Sequence, residues 1–116
     1  MKVVIPLKLS GWNDIISQCR ANKYYANTHK KQEMKDISWF IRQIPPITKY
    51  PIEIVFTWHI KNPRSDLDGK SCKSILDCMQ NIGILENDNI GHISKITYIA
   101  IKDKEDFVEM EIEDNV

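Results

Sequence analysis

Residues 51–60 have the sequence PIEIVFTWHI, which carries a clear strand pattern. Every second residue is a large apolar one: Ile52, Ile54, Phe56, Trp58 and Ile60. The positions between them are smaller or polar. Because successive side chains of a strand point to opposite faces, this period of two predicts a strand with one buried face. The neighbouring elements are therefore expected to join it in a sheet.

Two elements are predicted before this strand. Residues 3–9 (VVIPLKL) are apolar and partly β-branched, which predicts a first strand, and Pro6 indicates an edge position or an irregularity. From about Asn13 to Ile44, apolar residues recur at helical spacing, which predicts a helix that is interrupted near residues 24–29. Pro45-Pro46 ends this helix, because proline lacks the amide donor and clashes with the preceding turn.

A helix and two strands are predicted after it. Residues 71–81 place apolar side chains at helical spacing, and Gly83 stands where a left-handed residue ends a helix. Residues 93–101 (ISKITYIAI) and 107–113 (FVEMEIE) are predicted strands, joined by a turn at 102–106 as an antiparallel hairpin. The order β-α-β-α-β-β predicts an α/β (α+β) fold, a single small domain with a mixed sheet and two main helices.

Length and composition exclude several classes of protein. The 116 residues contain three Cys, an odd number that argues against a disulfide framework and favours a reducing cytoplasm. Four Gly are too few for a P-loop or a dinucleotide fingerprint, so no nucleotide cofactor is expected. No apolar run is long enough for a membrane span or a signal peptide, so no membrane partner is expected.

The balance of 16 basic and 16 acidic residues hides an uneven distribution. Residues 1–49 hold nine Lys and Arg against three Asp and Glu, whereas residues 103–116 hold one against seven. Basic residues of the first half alternate with aromatic ones, a mixture suited to phosphate contacts with stacking rings. The alternative is a solvated helix face. The candidate DNA contacts here are Arg20, Lys23, Tyr24, Lys30 and Lys31.

Carboxylates collect after the central strand. If residues 66–68 are extended, the side chains of Asp66 and Asp68 point to the same side about 7 Å apart. Asp88 follows after a helix and a turn of about twenty residues, a length that can return the chain to the same edge. Three carboxylates with water and phosphate oxygens form the usual environment of Mg²⁺. The structural alternative makes Asp66 a helix N-cap or a turn former, Asp68-Gly69 a turn, and residues 87–89 a solvated loop.

Other site signatures are weak. Cys72 and Cys78 are six residues apart on the predicted helix and face different directions, and the three His residues lack paired spacing, which argues against zinc. Gly69 lies too close to Asp66 for an EF-hand loop. No local signature supports a Cys–His nucleophile.

Residues 64–90 resemble the signature of the RusA-type Holliday junction resolvases; their sequence is RSDLDGKSCKSILDCMQNIGILENDNI. That signature has an Asp-x-Asp, a helix that carries a Lys and then an Asp, and a further Asp after a short hydrophobic stretch. Residues 11–35 (GWNDIISQCRANKYYANTHKKQEMK) are similar to the amino-terminal helix and basic, aromatic segment of phage and prophage members. Residues 51–68 resemble the family's central strand leading into the motif, so the resemblance covers about residues 3–113.

The resemblance implies a homodimer of small α/β domains, each spanning residues 1–116, that cuts four-way DNA junctions by paired nicks in recombination and repair. It implies Mg²⁺ as the cofactor, with Mn²⁺ as an alternative, and Asp66, Asp68 and Asp88 as metal ligands and catalytic residues. The catalytic lysine maps to Lys73, or to Lys70 if the extra residue of this chain is placed after the lysine. Arg64 joins the expected DNA contacts. The expected location is the cytoplasm of a bacterial or phage-infected cell.

Three positions depart from the family pattern. One extra residue separates Asp68 from Lys73, Gly69 replaces a common Asn, and Asn87 replaces the first Asp of an Asp-Asp pair. Two alternatives therefore stay open: a non-catalytic DNA-binding module with a decayed site, and a related nuclease that prefers flaps or forks. The dimer interface is expected either around Trp39 and Phe40 or on the final strand pair.

Overall fold

A computed structural model describes residues 1–114. Within this range the elements, in chain order, are β1 (Lys2–Ile5), α1 (Trp12–Ala21), α2 (Lys23–Ile41), β2 (Ile52–Ile60), a 3₁₀ turn (Leu67–Gly69), α3 (Lys73–Asn81), β3 (Ile93–Lys102) and β4 (Phe107–Asp114). Strands and helices share one core, which confirms the predicted α+β class with a mixed sheet. Residues 1–114 contain three α-helices where two main ones were predicted, because the first is divided.

The four strands form one sheet in the order β1-β4-β2-β3. β2 runs parallel to β3 and antiparallel to β4, and β4 runs antiparallel to β1. A parallel pair needs a crossover connection, and α3 lies in the one between β2 and β3. The predicted antiparallel hairpin of the last two strands is wrong, because β2 lies between β3 and β4.

The connection from β3 to β4 crosses the end of β2 instead of turning back on itself. Two strand spacings are about 10 Å, a distance that four residues can span. The amide of Asp103 donates to the carbonyl of Ile60 at 2.9 Å, and the amide of Lys61 donates to Asp106 Oδ1 at 3.1 Å. These bonds hold the connection against the end of β2. β4 thereby becomes a central strand and buries Val108, Met110 and Ile112.

The predicted alternation in β2 is confirmed, since its five large apolar residues are at most 7% exposed. They face α2 and α3, which add further fully buried side chains: Ile37 and Ile41 from α2, and Ile75 and Met79 from α3. The alternate residues of β2 are half-buried on the opposite face of the sheet. That face is open to solvent, with Val4 51% and Ile99 43% exposed.

The amino-terminal helix is divided at Asn22, earlier than the predicted interval of residues 24–29. Asn22 has extended backbone angles, and its Oδ1 accepts a hydrogen bond from the amide of Tyr24 at 2.8 Å. An Asn side chain that satisfies a free amide of the next helix favours such a boundary. Later in the chain, Gly83 follows α3 with φ 86°, which confirms the predicted left-handed stop.

The first strand is shorter than the predicted residues 3–9. It ends at Ile5, because Pro6 has no amide hydrogen to continue the ladder. The amide of Leu7 instead donates to the carbonyl of Ile5 at 2.8 Å, a tight turn that leads the chain toward α1.

Candidate nucleic-acid interface and carboxylate segments

An open groove of about 580 Å³ runs between α2 and α3. Lys30 and Lys31 line it from α2, and Lys73 lines it from the first turn of α3. The α2 residues that line the groove follow one another at steps of three and four residues, so they form one stripe along that helix: Asn27, the pair Lys30 and Lys31, and Met34. The groove therefore brings together two of the predicted DNA-binding lysines and one of the two candidate catalytic lysines.

Asp77 connects the two walls of this groove. Its Oδ2 lies 2.9 Å from Lys30 Nζ, and its Oδ1 lies 3.4 Å from Lys73 Nζ. Both lysine side chains are about half exposed, whereas that of Asp77 is 18% exposed. The carboxylate offsets part of the positive charge that phosphates would meet. Asp77 was not among the predicted site residues, although its place four residues after Lys73 on a helix was a usable signal.

The other predicted DNA contacts lie outside the described lining of this groove. Arg20 is exposed in the last turn of α1, and Tyr24 is 82% exposed in the first turn of α2. Lys23 begins α2. Arg64 is exposed in the loop after β2, where its amide donates to Asn62 Oδ1 at 3.0 Å. Their contribution to DNA binding stays a prediction.

Asp66 and Asp68 lie in the loop that follows β2. Asp66 has an extended backbone, but the next three residues form the 3₁₀ turn, so the segment is not extended through Asp68. The prediction that the side chains of Asp66 and Asp68 point to the same side about 7 Å apart required an extended segment, and it therefore does not apply. The backbone turn is closed by the amide of Gly69, which donates to the carbonyl of Asp66 at 3.2 Å. Both Asp residues are exposed, and Asp66 occupies the N-cap position without accepting a capping hydrogen bond at its side chain.

The backbone of the 3₁₀ turn lies close to Gly11. A Cβ added to Gly11 would lie 2.5 Å from the carbonyl oxygen of Gly69, so only glycine fits at position 11. The turn also packs against β3. A Cβ on Gly69 itself would meet no atom within 4 Å. The backbone at position 69 therefore has room for the Cβ of an Asn, the residue that Gly69 replaces in the resembled pattern.

The two candidate catalytic lysines face different surroundings. Lys73 is the first residue of α3 and lines the groove. Lys70 ends the 3₁₀ turn and lines a small cleft with Trp58, Asp106 and Phe107. Lys73 is therefore grouped with two of the predicted DNA-binding lysines, whereas Lys70 shares its cleft with Lys8, and the role of either candidate stays a prediction.

Asp88 lies at the opposite end of the sheet from Asp66 and Asp68. β2 and β3 are parallel, with Ile52 opposite Ile93 and Ile60 opposite Lys102. Asp88 precedes the start of β3, whereas the other two follow the end of β2. A nine-residue strand spans roughly 26 Å between its end residues. The excursion through α3 therefore does not return Asp88 to the other two carboxylates within one chain.

Local hydrogen bonds order the Asp88 loop. Asn87 Oδ1 accepts from the amide of Asn89 at 3.1 Å, and Asn89 Oδ1 accepts from the amide of Gly91 at 3.1 Å. The amide of Glu86 donates to Tyr50 Oη at 3.0 Å, which ties the loop to the segment before β2. Asn87, one of the departures from the family pattern, thus acts as a turn former.

The three predicted Mg²⁺ ligands do not come together within residues 1–114 of one copy. Among residues 1–114 the structure contains no group of three or more His, Cys, Asp or Glu side chains that could hold a metal ion. The reason is the separation of Asp88 from Asp66 and Asp68 along the parallel strands. A single copy consequently does not assemble the predicted Mg²⁺ ligands.

The buried thiols are poor nucleophile candidates. Burial raises the pKa of the Cys72 thiol and of the Cys78 thiol, which keeps both protonated at neutral pH. Burial also raises the pKa of Tyr98, whose hydroxyl accepts a hydrogen bond from the amide of Cys72 at 3.0 Å. This bond connects the start of α3 to the middle of β3.

A second cavity of about 280 Å³ lies where α1, α2 and the first turn of α3 meet. Glu33 lines it with a side chain that is 10% exposed. Its Oε2 accepts from Ser10 Oγ at 2.8 Å, and its Oε1 has no hydrogen-bond partner in the part of the chain that the structure describes. The buried Glu33 was missed from sequence, because a single Glu in a charged helix carries no signal of burial.

The helices within residues 1–114 are too short or too polar for any of them to cross a lipid bilayer. No protein-family model matches the chain, and no curated protein matches it.

Proposed function

We propose that this protein is a Mg²⁺-dependent, structure-specific endodeoxyribonuclease that cuts four-way DNA junctions by paired nicks in recombination and repair. The observation that carries the proposal is the lysine groove between α2 and α3, which collects Lys30, Lys31 and Lys73 on one surface. It supplies cations for a phosphate backbone, and Lys73 follows the exposed Asp68 by five residues in the sequence. The proposal places the protein in the cytoplasm of a bacterial or phage-infected cell.

Phosphate binding is the part of this function that one chain can perform. Lys30, Lys31 and Lys73 offer flexible ammonium groups on one surface, which suits backbone contacts that do not depend on base sequence. Asp66 and Asp68 offer carboxylate oxygens, the ligands that Mg²⁺ prefers. Because one copy does not hold all three carboxylates together, cutting requires more than one copy of the chain.

A specific observation favours a second candidate function, a non-catalytic DNA-binding module. Residues 1–114 of one copy hold no group of three metal-ligating side chains, and Asn87 stands where a carboxylate is expected. Such a protein would keep the lysine groove and bind branched DNA without cutting it.

Three DNA substrates separate the candidates: a mobile four-way junction, a flap and a replication fork, each incubated with Mg²⁺ or with EDTA. Paired nicks in the junction that need Mg²⁺ support the proposal. Binding without product supports the DNA-binding module, and faster cutting of the flap or fork indicates a related nuclease with another substrate.

A further inference from the structure

The cavity of about 280 Å³ where α1, α2 and the first turn of α3 meet, which we call the Glu33 cavity, has the lining of a small-molecule site. Trp12, Ile15 and Ala26 give it apolar walls. Trp12 is 44% exposed, so part of its indole ring is accessible to a ligand. The volume lies near the lower limit of small-molecule pockets, about 300 Å³, so the cavity suits one planar ring system and not a large ligand.

Glu33 gives this apolar cavity one acceptor that lacks a donor. Its side chain is 10% exposed, and its Oε2 accepts from Ser10 Oγ at 2.8 Å and from the Ser10 amide at 3.4 Å. These bonds fix the carboxylate against the segment before α1. Its Oε1 is buried and has no hydrogen-bond partner among residues 1–114. A buried acceptor without a donor costs free energy, so a ligand that brings an N–H group to this carboxylate gains affinity.

The Glu33 cavity adjoins the lysine groove. Asn27, Lys30 and Lys73 line both spaces. The ammonium groups of Lys30 and Lys73 contact Asp77, which lines the groove, so the charged ends of the two lysines lie on the groove side. A ligand that fits both spaces therefore has an uncharged ring with an N–H donor at one end and an anionic group at the other. A nucleotide has this composition.

We infer that the Glu33 cavity binds one unstacked nucleobase that carries an amino group, and that this amino group donates a hydrogen bond to the Glu33 carboxylate. Trp12 offers a ring on which the base stacks. The phosphate of the same nucleotide then contacts Lys30 and Lys73 in the groove. The nucleotide comes either from an unpaired position in DNA or from free nucleotide. With DNA as the source, the inference rests on the proposed function and names one element of its substrate.

The carboxylate selects among the bases. Cytosine, adenine and guanine carry an amino group, which is an uncharged donor with two N–H bonds. Uracil and thymine have a carbonyl oxygen where cytosine has its amino group, and their one ring N–H lies between two carbonyl oxygens. A carboxylate repels those oxygens. The Glu33 cavity should therefore prefer amino-bearing bases over bases with a carbonyl in the same place.

The charges around Glu33 favour this cavity over its neighbour. Glu33 also lines a cavity of about 270 Å³ together with Asp14 and Asp36. Two further carboxylates there would repel the phosphate of a nucleotide. The Glu33 cavity instead adjoins two lysines, which attract it.

Duplexes with a single bulged nucleotide test the base preference. Two matched pairs are compared in one sequence context: cytosine against uracil, and adenine against hypoxanthine. Within each pair the amino group is replaced by a carbonyl oxygen at nearly constant size. Fluorescence anisotropy in EDTA, which prevents metal-dependent cutting, should show about tenfold tighter binding of the amino-bearing bulge in both pairs. Equal affinities within both pairs would overturn the inference.

Glu33→Gln tests the role of the carboxylate. Gln is nearly the same size, but its amide can donate to a carbonyl oxygen as well as accept from an amino group. The tenfold preference should therefore disappear or reverse. Glu105→Gln, in the turn before β4, removes the same charge and should keep the preference. A Glu33→Gln protein that keeps the full preference would exclude Glu33 as the group that reads the base.

Filling the cavity tests the location independently of Glu33. Ala26→Leu adds three carbon atoms to the lining, so the ratio of the affinities for the cytosine bulge and for fully paired duplex should fall toward one. Ala21→Leu, exposed at the end of α1, is the matched control and should keep the wild-type ratio. An unchanged ratio in Ala26→Leu would place the bulged base elsewhere.

Free nucleotides identify the source and separate the inference from the function. Calorimetric titration with deoxycytidine monophosphate and deoxyuridine monophosphate should give the same preference if free nucleotide is the source, whereas a preference found only in bulged duplexes indicates DNA. No preference in either form overturns the inference. A wild-type protein that cuts junctions without base preference keeps the function and loses the inference. One that prefers amino-bearing bases but does not cut keeps the inference and loses the nuclease function.

Discussion

Lys30 on α2 and Asp77 on α3 form an ion pair with a distance of 2.9 Å between Nζ and Oδ2. The same carboxylate lies 3.4 Å from Lys73 Nζ, so one acidic group contacts two lysines of the groove. Any phosphate that enters the groove would compete with this carboxylate for both cations. The groove is therefore less cationic in the free protein than its lysines alone indicate.

Replacing Asp77 with Asn should tighten DNA binding. Both lysines then become available to phosphates, and the plot of log affinity against log salt should steepen by about one to two units. The stability lost with the partly exposed pairs should stay below about 1 kcal/mol. Fluorescence anisotropy over a range of salt concentrations measures both quantities. Asp36→Asn, which changes net charge equally outside the groove, is the control; equal effects of the two variants would show that only net charge matters.

Removing Lys30 and Lys31 together should have the opposite effect. The double Ala variant is expected to bind all DNA more weakly and to lose about two units of salt slope, because two phosphate contacts disappear. The control removes two lysines outside the described groove lining, Lys35 and Lys49. An unchanged slope in the first variant would mean that these lysines are only solvated.

The fold could be predicted from sequence where a local pattern decides it. The alternation from Ile52 to Ile60 and the glycine stop at Gly83 depend on neighbouring residues, and both are found in the structure. Strand order depends on which faces and edges pack together. The length of the segment between residues 102 and 107 allows both a hairpin and a crossing of the end of β2, so it does not decide between them. The bond between Asp103 and Ile60 that marks the crossing has no local signature.

Gly11 should control the position of the 3₁₀ turn, Leu67–Gly69, which contains Asp68. A methyl group there would lie 2.5 Å from the Gly69 carbonyl oxygen, so Gly11→Ala must displace the turn or the start of α1. The expected cost is roughly 1–3 kcal/mol of unfolding free energy, with reduced junction cutting. Gly69→Ala is the control, since its Cβ meets nothing within 4 Å and should cost less than about 0.5 kcal/mol. Urea unfolding measures the stability of both variants. A Gly11→Ala variant as stable as wild type would contradict the close approach of Gly11 to the Gly69 carbonyl oxygen.

Acid should destabilise the protein through Glu109. A hydrogen bond from Lys2 at 2.9 Å, and then one from His59 at 2.6 Å, hold the pKa of the Glu109 carboxyl below its usual 4.5. Because the folded-state pKa is the lower one, this contribution is complete above the unfolded value and is lost as the pH falls through the folded value.

Urea unfolding between about pH 6 and about pH 3 measures this loss. At the upper end of this pH range, Glu109→Gln should be less stable than wild type. On acidification, Glu109→Gln should lose less unfolding free energy than wild type does. Glu105→Gln, in the turn before β4, should follow the wild-type curve. Parallel curves for Glu109→Gln and wild type would rule out a role for Glu109.

The candidate site could be predicted only in part. The residue types and the acidic motif point to Asp66, Asp68 and Asp88, but sequence spacing does not say at which end of a sheet each one lies. The excursion through α3 returns the chain to run parallel to β2, so Asp88 comes at the start of β3 and the other two at its end. The grouping of Lys30, Lys31 and Lys73 likewise depends on how α2 packs against α3.

Asp68→Asn should separate cutting from binding. Removing one carboxylate weakens Mg²⁺ binding without adding repulsion toward phosphate, so cutting should stop while junction binding persists or tightens. Asp36→Asn is the control and should cut normally. Full activity of Asp68→Asn would exclude it as a metal ligand.

Mapping the nicks on all four strands of a mobile junction tests whether the protein cuts four-way junctions by paired nicks. We predict nicks at symmetric positions in two opposed strands, present with Mg²⁺ and absent with EDTA. Bound junction with no nick in any strand, or nicks that persist in EDTA, would contradict it.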